Sequence, residues 1–455
     1  MRQPAPSRVV SFTEASLIVR EHADRILKTA APSSQIVSLP KALGRTLAEP
    51  IRADRDQPPF PRATRDGFAC HAADLRDGGW LKVVGQVRAG EVWKRPPIAA
   101  ADRSAGSENP RVQREPETDI WPEDESGIHP GEAVEIMTGA PAPSGADCVV
   151  MIEHVEQADG RVRLSGGRNE TASNIIPVGA EARAGEVIVP MGARMEAPQI
   201  AAAAACGAAQ VRVFCAPRAA ILPTGDELVE VADVPLPFQI RNSNGYSLAA
   251  QVAALCAEPV RLNVARDQLS EIEAGVRAGL DADLLLITGG VSMGKYDLVE
   301  EVMLGLGAEF YFTGALIQPG KPVVFGSVEH NGRRKYFFGL PGNPVSTMVT
   351  FALFAAPMLN ALGGRPSGPR FVQAKLVGRC EGRPGITRFL PAALHNGAEW
   401  PKIELMIQAV IVPHVEPIVF QGSGDIAAVS RANCFLVVPS GRTSLEPGET
   451  VTVLL

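Results

Sequence analysis

Between Arg218 and Leu362 the chain alternates apolar strands with helical segments. Strands are predicted at Arg218–Pro223, Val260–Val264, Asp283–Ile287, Phe310–Phe312, Val323–Phe325 and Tyr336–Phe338. Helices are predicted at Ser247–Ala257, Ser270–Leu280, Leu298–Leu306 and Val345–Leu362. Such repeats cover a sheet with helices, so 217–366 is predicted to be a doubly wound α/β domain. Ligands of that class bind outside the carboxyl ends of the strands. The loops at those ends are where chemistry is sought.

The flanking sequence follows a different pattern. Ser11-Phe12-Thr13-Glu14 reads as a capping box, and Phe12, Ala15, Val19, Ala23 and Ile26 follow at helical spacing. Leu47 to Phe60 is broken by Pro50, Pro58 and Pro59, which predicts extended chain at a domain junction. From Trp80 to Val189 short strands dominate, the clearest at Leu81–Val84, Val149–Ile152 and Glu186–Val189. Within that region, 101–128 mixes prolines with dense charge and reads as a solvated, mobile loop. Beyond Pro366 short strands return at Val372–Leu376, Ile407–Val412, Phe435–Val438 and Glu449–Leu454, predicting a small β domain.

Composition narrows the function classes. With 455 residues, about three domains are expected. Lys and Arg total 44 against 50 Asp and Glu, a net charge of −6 that argues against a nucleic-acid binder. Seven scattered cysteines without a C-x-x-C fit a reducing cytoplasm and no disulfide framework. The seven histidines lack zinc-site spacing. The uncharged run Val345–Leu362 reaches the lower limit for a membrane span. It carries Ser346, Thr347, Thr350, Pro357 and Asn360, so it is read as a buried helix and no membrane is expected.

Three predicted strands end in polar loops holding Glu227, Asp267 and Asp297. Carboxylates brought to one rim repel one another unless a cation sits among them. Mg²⁺, a hard ion with oxygen ligands, suits such a set and holds phosphate oxygens as well. The third loop, Thr288-Gly289-Gly290-Val291-Ser292-Met293-Gly294-Lys295, offers backbone N–H groups to an anion. Tyr296 stands where a P-loop has Ser or Thr, which argues against that motif. Two further loops are Gln318-Pro319-Gly320-Lys321-Pro322 and Leu340-Pro341-Gly342-Asn343-Pro344-Val345-Ser346. Lys321, in a stiff loop, is read as an anion contact. Asn343 or Ser346 caps the long helix, or its free N–H groups receive an anion; the residues alone leave both open.

These pieces, with Arg65-Asp66-Gly67-Phe68-Ala69, Ile136-Met137-Thr138-Gly139-Ala140-Pro141, Thr224-Gly225-Asp226-Glu227-Leu228, Asn242-Ser243-Asn244 and Gln421-Gly422-Ser423-Gly424-Asp425, resemble the molybdopterin molybdenumtransferases, the MoeA and gephyrin E-domain family. The resemblance runs through nearly the whole chain. It implies a molybdopterin-binding-like α/β domain at 217–366 and a C-terminal β domain at 367–455. It also implies an elongated N-terminal domain at 7–58 and 166–216, with a β-rich domain inserted at 59–165. The implied activity inserts molybdenum from molybdate into adenylylated molybdopterin, with Mg²⁺ and release of AMP. A homodimer with a cleft shared between subunits is implied, as is hand-over to molybdoenzymes or their chaperones.

By resemblance, Glu227, Asp267 and Asp297 are catalytic and hold the metal, while Asp66 and Thr138 approach from the partner. Thr224, Gly225, Asp226, Gly289, Gly290, Ser292, Gly294, Lys321, Pro341, Gly342, Asn343, Pro344, Ser346 and Ser423 line the substrate site. Some residues depart from the family pattern. Pro61-Arg62-Ala63 and Ile176-Pro177-Val178-Gly179-Ala180-Glu181 lack its usual Asp and Arg, and Gln318 replaces a common Lys. Arg62 and Arg65 are expected to restore positive charge. Two other readings remain: a molybdopterin-binding carrier or scaffold, and a molybdopterin adenylyltransferase.

Overall fold

The computed structural model describes residues 8–29, 33–76, 78–95, 127–165, 173–290, 298–366, 368–395 and 412–455. The chain forms two compact units, Met1–Glu49 with Pro190–Ala201 and Ala208–Leu455, and Pro50–Val189 with Ala202–Gly207.

In the larger unit, a six-stranded sheet runs in the order Glu258–Arg261, Arg218–Pro223, Leu284–Thr288, Arg333–Leu340, Val324–His330, Glu309–Phe312. The first four strands pair in parallel, and Val324–His330 runs antiparallel to both its neighbours, Arg333–Leu340 and Glu309–Phe312. The reversal follows from Asn331-Gly332, where both residues adopt positive φ (51° and 70°). A two-residue turn of that kind matches strand twist and closes a hairpin. Strands predicted as short pieces at Val323 and Tyr336 are therefore arms of one long hairpin.

Helices cover both faces of the sheet. On one, Ile272 and Val276 of helix Leu269–Gly279 pack with Val299, Val302 and Met303 of helix Leu298–Gly305. On the other, Leu248 and Val252 of helix Ser243–Ala254 join the long helix and the N-terminal helix Phe12–Thr29. Glu14 N–H donates to Ser11 Oγ at 3.1 Å, completing the N-terminal cap. Ala15, Val19, Ala23 and Ile26 are all buried, as the spacing predicts. Each larger side chain so buried contributes about 1.5–3 kcal/mol.

Helix Ser243–Ala254 begins four residues earlier than predicted. Asn242 Oδ1 accepts Gly245 N–H at 2.9 Å and sets the start. The run after Pro344 is helix Pro344–Thr350, a wide π turn Phe351–Ala355, and helix Ala356–Leu362. It is long and apolar enough to cross a membrane, with mean hydropathy 1.6, yet 78% of it is buried inside the protein. It is a core helix.

The C-terminal strands Thr387–His395, His414–Pro417, Phe371–Leu376, Thr450–Leu454 and Cys434–Val438 pair in that order. The last also pairs with the first, which closes a small barrel. The strand predicted at Ile407–Val412 lies outside the described residues except for Val412.

The smaller unit holds a six-stranded sheet, ordered Cys148–Met151, Gly67–Cys70, Glu132–Ile136, Leu81–Val87, Arg161–Leu164, Val155–Ala158. Two apolar cores flank it, one around Val134 and Ile136 and one around Phe68 and Cys148. Of the predicted loop 101–128, residues 101–126 lie outside the described residues. Ile128 is buried in the first core, so the solvated loop predicted for 101–128 does not extend to it.

Candidate functional site

The strand Arg218–Pro223 delivers Thr224-Gly225-Asp226-Glu227 to the carboxyl end of the sheet. Thr224 N–H donates to Thr288 O at 2.9 Å and Gly225 N–H to Ala265 O at 3.1 Å. These bonds tie three strand ends together. Gly225 has φ +143°, and a Cβ there would stand 2.5 Å from Glu227 Oε2, so the carboxylate folds back over the glycine. The Arg266 guanidinium donates to Asp226 O at 2.8 Å and Leu228 O at 3.2 Å, and Asp267 N–H to Asp226 Oδ1 at 3.2 Å. Glu227 and Asp267 consequently line one cavity of about 610 Å³.

Gly289 and Gly290, with φ of +93° and +62°, form the next wall. A Cβ on Gly289 would fall 2.3 Å from Thr224 O. Asp297, Ser292 and Gly294 lie outside the described residues, so two of the three predicted carboxylates are brought together here. Among the described residues no cluster of three or more His, Cys, Asp or Glu side chains is formed. Thr224, Gly225, Pro341, Gly342, Asn343 and Pro344 line the same cavity. Asp226 holds its neighbours through its backbone and carboxylate and is not on the lining.

A second cavity of about 440 Å³ adjoins the first. Both are lined by Pro322, Pro341 and Asn343. The second adds Lys321, Ser346, Arg388, Gln421 and Ser423. Lys321 is thus set apart from Glu227 and Asp267, not beside them. Its carbonyl accepts Ala315 N–H and Val323 N–H, both at 3.0 Å, which fixes the loop. The Nε of Arg388 is buried without a hydrogen-bond partner.

The start of the long helix resolves the alternatives left open by the sequence. Asn343 does not cap it; its Nδ2 donates instead to Ser423 Oγ at 2.9 Å. Val345 N–H donates to Ser423 O at 3.0 Å. Ser346 is buried, 4% exposed, and lines the second cavity. The C-terminal barrel therefore supplies both the acceptor at the helix start and part of the basic wall.

Sequence reasoning left Arg388, Arg241 and Asn244 unassigned. Asn244 Nδ2 donates to Gly342 O at 2.6 Å and Thr288 Oγ1 at 3.0 Å, bracing two loops. Its place inside Asn242-Ser243-Asn244 was the available signal. Arg388 sits in an apolar barrel strand, where no motif marks it.

Asp66 and Thr138 belong to the smaller unit. Asp66 Oδ1 accepts Thr138 N–H at 2.6 Å and Thr138 Oγ1–H at 2.7 Å. These two donors hold the Asp66 carboxyl below its ordinary pKa. In the same unit Arg62 pairs with Glu181 at 2.6 Å. Its charge is engaged within the unit, contrary to the expectation that it restores free positive charge.

The donor set of the first cavity fits a hard cation. Glu227 and Asp267 offer carboxylates, and Thr224 Oγ1 and Asn244 Oδ1 are buried oxygens without partners. The second cavity, with a lysine, an arginine and two serine hydroxyls, suits a small oxyanion.

Family models match three successive parts of the chain. Residues 10–207 match the MoeA N-terminal region (domain I and II), 220–361 a probable molybdopterin binding domain, and 373–455 the MoeA C-terminal region (domain IV). A molybdopterin molybdenumtransferase of Staphylococcus aureus (strain COL) is 30% identical over 450 residues, covering 96% of this chain and 95% of that one. One from Nostoc sp. is 30% identical over 430 residues, covering 92% and 88%. The solved molybdopterin biosynthesis MoeA protein of Pyrococcus horikoshii shares 29% identity with a TM-score of 0.70, covering 98% of this chain and 99% of that one. Fold and strand-end cavities thus define a protein built around a molybdopterin-binding type of α/β domain. The chain belongs to the MoeA family of molybdopterin molybdenumtransferases.

Proposed function

We propose that this chain is a molybdopterin molybdenumtransferase of molybdenum cofactor biosynthesis. It would take molybdenum from molybdate, insert it into the dithiolene of adenylylated molybdopterin, and release AMP. The observation that carries this reading is the pair of adjoining cavities, one holding the carboxylates of Glu227 and Asp267 beside Arg241, the other basic through Lys321 and Arg388. A reaction joining a phosphate-bearing organic substrate to a tetrahedral oxyanion needs both environments side by side.

Glu227 and Asp267 would hold Mg²⁺, which when bound neutralises phosphate charge. The glycines at 225, 289 and 290, having no side chains, would let the adenylate come close to the backbone. Lys321, Arg388, Ser346 and Ser423 would bind and orient molybdate by charge-assisted hydrogen bonds. Pro322, Pro341 and Asn343, lining both cavities, would set the distance between the reactants. Asp297, by resemblance, joins the carboxylates.

The same reading includes a homodimer in which Asp66 and Thr138 of one subunit serve the other's cleft, with hand-over to molybdoenzymes or their chaperones. A cytoplasmic setting agrees with seven unpaired cysteines. The test is AMP release by purified protein supplied with adenylylated molybdopterin and Mg²⁺, with and without molybdate. Molybdate-dependent release that is lost in Asp267→Asn supports the transferase. Tight binding of the adenylate without release would replace it by the carrier reading, for which the engagement of Arg62 by Glu181 is the motivating observation.

A further inference from the structure

Two cysteines face each other in the smaller unit. Cys148 opens the edge strand Cys148–Met151, and Cys70 closes its neighbour Gly67–Cys70. They are directly paired in the antiparallel register. Their Sγ atoms lie 3.5 Å apart, although 78 residues separate them in sequence. Directly opposed residues of antiparallel strands have Cα atoms roughly 4.5–5.5 Å apart, inside the range a disulfide bridges. A small rotation about each Cα–Cβ bond would bring the sulfurs to bonding distance.

We propose that Cys70 and Cys148 form a thiol–disulfide pair, closed across the two strands by a hydroperoxide. The other five cysteines are free as well, but none of them has a sulfur within hydrogen-bond distance of another described cysteine. Either sulfur can donate to the other, and the Cys148 S–H also reaches the Cys70 carbonyl oxygen at 3.6 Å; the contact lowers the Cys148 pKa and, with burial, raises that of Cys70. Cys148, on the edge strand, is assigned as the attacking sulfur of the pair.

The Cys148 thiolate attacks one peroxide oxygen and the O–O bond breaks. The departing oxygen leaves as water or alcohol after taking a proton from solvent, and Cys148 becomes a sulfenic acid. The Cys70 sulfur then attacks the Cys148 sulfur. The S–S bond forms, the S–O bond breaks, and hydroxide leaves as water with the Cys70 proton. Two electrons pass from the thiols to the peroxide. Both thiols are buried, at 0% and 3% exposure, so peroxide reaches them as the edge strand opens.

The full-length protein is treated with hydrogen peroxide, quenched with catalase, and alkylated with N-ethylmaleimide in denaturant. Tryptic peptides are then mapped by mass spectrometry with and without dithiothreitol, while circular dichroism before the denaturing step checks that the treated protein is folded. The expected result is one linked pair, Cys70 with Cys148, about 2 Da lighter than the two reduced peptides and lost on reduction. Cys70→Ser should leave Cys148 unlinked and trappable by dimedone as a sulfenic acid. Full alkylation of both residues after peroxide overturns the proposal, as does linkage of either to a different cysteine. The wild-type map decides the question even if the variant fails to fold.

Discussion

One oxygen of the Asp66 carboxylate accepts both the backbone N–H and the hydroxyl of Thr138, at 2.6 and 2.7 Å. The two donors favour the charged form, the backbone N–H more than the hydroxyl, and hold the carboxyl below its ordinary value. Thr138→Val keeps the backbone donor and removes the hydroxyl. The Asp66 pKa should then rise towards the usual carboxylate range without reaching it. A carboxyl carbon titration by NMR reads this directly, and an unchanged Asp66 would show that the hydroxyl contributes nothing.

The two adjoining cavities should be separable by mutation. Asp267→Asn removes a charge from the first cavity and should weaken Mg²⁺ binding at least about tenfold, measured with Mn²⁺ as a paramagnetic reporter. Arg388→Met should leave that binding intact and reduce molybdate binding by a similar factor, measured by calorimetry. Equal losses of both ligands in each variant would mean that the cavities act as one site.

His22 lies buried at 6% exposure, its ring packed against Tyr311 at 4.0 Å between centroids and tilted by 30°. Burial, aided by the charge of Arg25, lowers its pKa from 6.5 to about 4. The unfolded chain therefore takes up a proton before the folded one does. The stability tied to the neutral ring is complete above pH 6.5 and is lost as pH falls towards 4. At pH 5 the loss should be about 2 kcal/mol. Denaturant melts of the wild type at pH 7 and pH 5 should show this, and His22→Phe should flatten the difference by that amount.

Gly289→Ala should be costly. Its φ of +93° is unfavourable for any side chain, and the new Cβ would fall 2.3 Å from Thr224 O. A loss of more than about 1 kcal/mol is expected, with a lower melting temperature and weaker Mg²⁺ binding because Thr224 must move. A variant that melts with the wild type would show that the loop relaxes without strain.

The strand-end loops were legible in the sequence because the pattern changes there: Pro223 and Thr288 end apolar runs, and Arg266-Asp267 follow the alternating stretch 260–265, whose strand is Glu258–Arg261. Glu227 and Asp267 meet for that reason. Arg388 was not legible, since its position depends on how a closed barrel places one residue of an apolar strand beside a distant loop. The role of Asn343 at the helix start was left open for a related cause. A local cap is the expectation for Asn before Pro at a helix start, but Ser423, 80 residues away, provides the acceptor instead. The hairpin at Asn331-Gly332 was overlooked although its turn chemistry was visible, because the apolar runs on either side are short.

The bond from Val345 N–H to Ser423 O links two parts of the chain that a domain map would separate. Cut between them, a fragment ending near Pro366 would keep every strand-end carboxylate and the lysine of the fixed loop. It would lose the serine, the arginine and the acceptor at the helix start together. If the proposed function holds, such a fragment would still bind a phosphate ester, but not an oxyanion beside it. On the proposed function, the C-terminal barrel would be the addition that converts a one-ligand pocket into a two-reactant site.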